Sequence, residues 1–172
     1  MAQYKLFRRE LWEEIRFPVW KIHEDEFTAY RILHRADRVV YLSLPLYGYR
    51  IRPQSITQVF ELKAQLDKIE AKENIFAFFR EEGLSSENSA RALFLLLRII
   101  QTAYYKVSIH QRENTAALEQ MERKYMHYFS ENRALLPYMN RYERSMIKLF
   151  ARHRGFWHLM ENIKARYSAK FS

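Results

Sequence analysis

The sequence predicts a mainly helical protein in which a short α+β segment, about residues 1–57, leads into a helical bundle over residues 58–172. Two observations carry this. Before Thr57, a helix-like stretch is followed by an almost uninterrupted apolar and aromatic run, Val39 to Tyr49, of strand character. After Gln58, few turn signals break the helical periodicity beyond Glu82-Gly83, Pro137 and Arg154-Gly155.

In chain order, a helix is predicted over Phe27 to Ala36, behind the acidic cluster Glu24-Asp25-Glu26, and a strand from Val39 to Tyr49. Helices follow over about Val59 to Arg80, Ser86 to Gln111, Thr115 to Ser130, Arg141 to His153 and Gly155 to Tyr167. Ser85 or Ser86 offers an oxygen to the free N–H groups that open the second of these. Leu93, Leu96, Leu97, Ile100 and Tyr104 recur at spacings of three and four, while Phe94 and Leu95 make that helix apolar around most of its circumference. Such a helix belongs at the centre of a bundle. In the helix from Arg141, a buried or docking stripe of Tyr142, Met146, Leu149, Phe150 and His153 is expected, with Arg141, Arg144, Lys148 and Arg152 on another face.

Composition excludes several chemistries. Gly48, Gly83 and Gly155 are the only glycines, so neither a P-loop nor a Gly-x-Gly-x-x-Gly turn can be written. The absence of cysteine removes disulfides, thiolate nucleophiles and cysteine zinc sites. The six histidines give no His-Glu-x-x-His and no close ligand pair on a helix face, so no metal site is expected in this chain. The N-terminus is charged and lacks the apolar core of a signal peptide. The apolar stretch from Ala92 to Leu97, with Ile99 and Ile100 beyond Arg98, falls short of the roughly 20 residues that span a bilayer. Cytoplasmic residence, with peripheral attachment at the inner face of the membrane as an option, is the expectation.

Three adjacent carboxylates are costly unless something stabilises or uses their charge. At the start of a helix each is worth roughly 0.3–1 kcal/mol against the unpaired N–H groups, and that alone would account for Glu24-Asp25-Glu26. The wider pattern allows a second reading. From Tyr4 to Thr57 the chain carries, in order, Lys5-Leu6-Phe7, Arg16-Phe17-Pro18, His23-Glu24-Asp25, Leu46-Tyr47-Gly48-Tyr49-Arg50 and Ser55. Over this third of the chain the order resembles the acceptor-side end of the catalytic domain in family 2 glycosyltransferases, inverting enzymes of GT-A fold.

That resemblance implies a role for each motif. Asp25 would be the general base that takes the proton from an acceptor hydroxyl, with Glu24 as an acceptor or structural contact. His23, Arg50, Arg52 and Ser55 would contact the acceptor or the donor diphosphate, the arginines as bidentate cations. Trp12, Trp20 and Tyr49 could stack on sugar rings or pack in a core. The partners implied are a nucleotide sugar and a saccharide or lipid-linked acceptor. A divalent metal, Mg or Mn, would be held by an Asp-x-Asp motif in the half of the domain that precedes this segment. Asp25, Asp37 and Asp67 are the only aspartates, and no two form that motif. The chain alone is therefore expected to carry no cofactor and to be inactive.

Charge gives a further expectation. Residues 133–172 hold nine basic and two acidic residues, against ten and eleven over 58–132 and ten and seven over 1–57. Arg141, Arg144, Lys148 and Arg152 thus read either as a solvated face or as a contact for an anionic membrane surface. Nucleic acid is the weaker alternative: it rests on a net charge of +9 alone, because aromatic pairs such as Phe76 and Phe79, or Tyr125 and Phe129, fall on apolar helical stripes. Finally, the helices from Gln58 onward could instead form an interaction module that packs on a catalytic half, a second copy or a partner. Strands over Val39 to Tyr49 without neighbours would leave a sheet edge open, so the isolated chain is expected to form homo-oligomers.

Overall fold

The computed structural model describes residues 5–48 and 60–153. Tyr4, Tyr49, Arg50, Arg52 and Ser55, and the helix expected over Gly155 to Tyr167, lie outside the described residues. The chain divides into two compact units, Met1–Ile75 and Phe76–Ser172.

In the first unit, a 3-10 turn at Arg9–Trp12 is followed by α1, Ala29–Arg35. The long helix α2, Leu62–Glu81, then belongs to this unit as far as Ile75. Trp12 gathers Phe7, 5.6 Å away edge to face, and Phe17 at 5.1 Å. Ile15 and Ile32 are buried, as are Ala64, Ile69 and Ala71 of α2. Arg35 at the end of α1 reaches back to Glu14 at 2.5 Å.

Of the strand expected over Val39 to Tyr49, the described part, residues 39–48, is not β. No β-strand occurs among the described residues, and residues 39–48 are irregular and exposed, with Tyr41 at 88% and Leu46 at 75%. A strand's N–H and C=O groups need a neighbouring strand to pair with. None of the described residues supplies one, so apolar composition alone does not make this segment β. The described fold is mainly α.

In the second unit, α2 ends in a Schellman turn. Gly83 sits at φ 61°, its N–H donating to Arg80 O at 3.2 Å while Leu84 N–H donates to Phe79 O at 3.0 Å. A left-handed residue at that position favours glycine. α3, Ser86–His110, opens on Ser85, whose Oγ accepts from Asn88 N–H. Its Leu93, Leu96, Leu97, Ile100 and Val107 are fully buried, and Tyr104 is half-buried. Around α3 pack α4, Thr115–Glu131, the 3-10 segment Arg133–Tyr138, and α5, Arg141–Arg152. By length and composition α3 is long and apolar enough to cross a bilayer, contrary to the shorter run counted from sequence.

The bundle core closes on aromatic rings and one polar chain. Phe150 meets Tyr125 at 4.6 Å and Tyr104 at 5.5 Å. Gln101, without solvent exposure, receives Arg98 Nη1 at 2.6 Å on its Oε1 and donates from Nε2 to Tyr125 Oη at 3.0 Å. The Tyr125 hydroxyl then donates to Ile147 O at 2.7 Å. Burial pushes the Tyr125 phenol well above its ordinary 10.0, so it stays a neutral donor.

α5 starts with a capping box. Asn140 Oδ1 accepts from Glu143 N–H at 2.8 Å, and Glu143 Oε2 accepts from Asn140 N–H at 3.1 Å. Glu143 also pairs with Arg91 of α3 at 2.5 Å. These bonds set the rotation of the helix, so its buried residues are Glu143, Ile147 and Phe150. The expected stripe is corrected accordingly: Phe150 is buried, Met146 and Leu149 are half-buried, and Tyr142 and His153 are exposed.

Candidate functional site: the turn from Trp20 to Thr28

Glu24-Asp25-Glu26 does not form the first turn of α1. It lies one turn earlier, in a series of tight turns closed by Glu26 N–H to His23 O at 2.9 Å and Ala29 N–H to Asp25 O at 2.9 Å. Thr28, almost fully buried, donates its hydroxyl to Glu24 O at 3.1 Å. The three carboxylates are separated in role. Glu26 pairs with Lys72 of α2 at 2.7 Å, Glu24 is exposed, and Asp25 is half-buried.

Two non-glycine residues in this segment have left-handed backbone, Trp20 at φ 64° and His23 at φ 66°. Each costs on the order of 1–3 kcal/mol and persists only where the surroundings hold it. What holds it here is Asp67. Its carboxylate, 7% exposed, accepts Ile22 N–H at 2.9 Å, Lys63 Nζ at 2.5 Å and Lys21 Nζ at 3.4 Å. Lys63 also donates to Trp20 O at 2.6 Å, and Lys21 to Glu70 at 2.6 Å. The peptide between the two strained residues is thus fastened to one face of α2 through Lys63, Asp67 and Glu70.

The electrostatics follow from this arrangement. Burial alone would raise the Asp67 pKa, but Lys63, the Ile22 N–H and Lys21 outweigh it and hold the carboxyl below its ordinary 3.8. The hydrogen bond to Glu70 raises Lys21 above 10.5, against partial desolvation and with help from Asp67. His23 is lowered from 6.5, first by burial and then by the nearby Lys68 charge, although Glu26, Asp25 and Glu24 pull the other way. At neutral pH His23 is therefore an uncharged imidazole beside two accessible carboxylates.

The structure brings His23, Glu24 and Asp25 together on one restrained turn. It leaves Trp20 exposed at 88%, not in a core, while Trp12 packs in the aromatic cluster already described. Arg141, Lys148 and Arg152 are exposed on α5 and Arg144 is half-buried. Sequence reasoning missed Asp67, Lys63 and Lys21. A signal was present in the i, i+4 pair Lys63–Asp67 on an otherwise well-packed helix face.

No group of three or more metal-ligating side chains gathers among the described residues, and Asp67 is already engaged by two ammonium groups.

No family model matches the chain, and no solved structure matches it. A curated relative, the glycosyltransferase GlyA of Streptococcus pneumoniae serotype 4 (strain ATCC BAA-334 / TIGR4), is 36% identical over 59 residues. Those residues are 34% of this chain but only 8% of that protein. The match supports a relationship between part of this chain and a glycosyltransferase.

Proposed function

We propose that the chain is the acceptor-side portion of an inverting, family 2 glycosyltransferase followed by a C-terminal helical module. The similarity to a glycosyltransferase over 59 residues carries this reading. The strained turn agrees with it, because paying for left-handed backbone at Trp20 and His23 is reasonable where accessible carboxylates must be aimed.

In the proposed reaction an acceptor hydroxyl oxygen attacks the anomeric carbon of a nucleotide sugar, on the face opposite the diphosphate. The bond from that carbon to the diphosphate breaks, and the hydroxyl proton passes to Asp25. Neutral His23 orients the acceptor by hydrogen bonding, Glu24 contacts it, and exposed Trp20 offers a stacking face for a sugar ring. Asp67 is a positioning residue. Arg50, Arg52 and Ser55 meet the donor diphosphate, with the nucleotide and any metal held by the donor half of the enzyme. The exposed apolar segment of residues 39–48 pairs with a second copy of the chain in this reading. Cytoplasmic residence belongs to the same proposal.

The test is transfer by the polypeptide that joins this chain to its nucleotide-sugar-binding half. Asp25→Asn should abolish transfer while nucleotide-sugar binding persists, and Trp20→Ala should raise the acceptor KM more than it lowers kcat. Turnover retained in Asp25→Asn removes Asp25 from the role of base.

A further inference from the structure

On the second unit, α4, the Arg133–Tyr138 segment and α5 enclose a groove of about 390 Å³, within the roughly 300–1,000 Å³ typical of small-molecule sites. Met126, Phe129, Leu136 and Ala151 make its apolar floor. Three cations edge it: Arg133, Lys148 and Arg152. Lys148 and Arg152 stand one turn apart on α5, roughly 6 Å along the axis. Arg133 lies over the Phe129 ring at 5.8 Å. Among the described residues, no ion pair engages any of the three cations.

We propose that this groove binds an anionic phospholipid, its phosphate headgroup met by Arg133, Lys148 and Arg152 and the upper part of an acyl chain laid against Met126, Leu136 and Ala151. The proposal is independent of the glycosyltransferase reading. Charge complementarity argues for an anion, because Arg133, Lys148 and Arg152, none of them in an ion pair among the described residues, line one groove. The apolar floor argues for an amphiphile, since a soluble phosphate leaves that floor wet. Nucleic acid fits less well. Phe129, the ring a base would stack on, is already covered by Arg133 and lies stacked on Tyr125 at 6.4 Å with planes 18° apart. Arg141 and Arg144 extend the basic face of α5 and would meet neighbouring headgroups.

The test is co-sedimentation of the full chain with phosphatidylglycerol-containing vesicles and with pure phosphatidylcholine vesicles. Binding is expected only to the former. Each neutralised cation should lower partitioning about fivefold, equivalent to ~1 kcal/mol per basic residue at an anionic surface. The triple variant Arg133→Gln, Lys148→Gln, Arg152→Gln should therefore lose about a hundredfold. A charge-matched control, Arg80→Gln, Arg112→Gln, Arg123→Gln, should lose less than a tenth of that. Met126→Gln, which keeps the charge, should also weaken binding, and circular dichroism should show each variant folded. In NMR spectra, dihexanoyl phosphatidylglycerol below its micelle concentration should shift the Met126 and Ala151 methyls, and inorganic phosphate should not. Equal losses in the two triple variants, no vesicle binding, methyl shifts with phosphate alone, or groove-dependent binding to duplex DNA but not to vesicles would each overturn the proposal.

Discussion

Replacing Asp67 by alanine removes the group that fastens the Trp20–His23 turn to α2. Three interactions go at once: the Ile22 N–H at 2.9 Å, Lys21 at 3.4 Å and Lys63 at 2.5 Å. A hydrogen bond to a charged group is worth about 1.5–3 kcal/mol when the acceptor is sheltered, and this carboxylate is 7% exposed. Lys63 is half exposed, so its ion pair adds at most about 1 kcal/mol. Part of the loss is returned when the left-handed residues relax. The net expectation is ~2 kcal/mol, or about a thirtyfold change in an opening equilibrium. Amide hydrogen exchange reads it directly: Ile22 should exchange about thirtyfold faster in Asp67→Ala. Asp67→Asn, which keeps an acceptor for Ile22 but loses the charge, should fall between. Unchanged exchange at Ile22 in Asp67→Ala would refute the idea that Asp67 holds the turn.

The remaining predictions concern the same turn, the bundle core and the apolar segment. Because the folded state holds His23 below 6.5, the unfolded chain takes up that proton first. Stability should therefore fall as pH drops below 6.5 and level off below the folded pKa, and His23→Gln should erase the slope in urea titrations. Asp67 acts in a separate, more acidic window. Its contribution is present above 3.8 and lost as pH falls through its lowered folded value, so Ile22 protection should survive at pH 4.5 and vanish only under stronger acid. Tyr125→Phe strands the Gln101 amide in the core and should cost about 1–3 kcal/mol in urea unfolding; Gln101→Leu added to it should cost less than the sum of the two single changes. Light scattering on the isolated chain should show mass rising with concentration, and Leu42→Lys with Leu44→Lys should return it to a monomer. A monomer at every concentration would contradict pairing through residues 39–48.

Much of the helical part was legible because long periodic segments carry their own start and stop signals. Ser85 before α3 and Gly83 after α2 are local features that tertiary context did not override. The rotation of α5 was not legible from spacing, since Tyr142, Met146 and Leu149 compete with Ile147 for the inner face. The Asn140–Glu143 capping box and the Arg91–Glu143 pair decide between them, and only the latter is non-local. The expected strand is missing from residues 39–48 for a related reason. Its composition is β-like, but β structure is a property of pairs of segments. At the candidate site, the residue types of His23-Glu24-Asp25 were visible, whereas left-handed backbone at a tryptophan and a histidine has no sequence signature. It comes from Asp67, more than forty positions away.

Under the proposed function, the most direct measurement is sugar transfer by a polypeptide that joins this chain to a nucleotide-sugar-binding domain, followed as release of nucleoside diphosphate, with Asp25→Asn beside the unaltered protein. Transfer that disappears in Asp25→Asn, with nucleotide-sugar affinity unchanged, is the predicted result. Equal rates in the two proteins, or no transfer to any saccharide acceptor by the unaltered one, would contradict it.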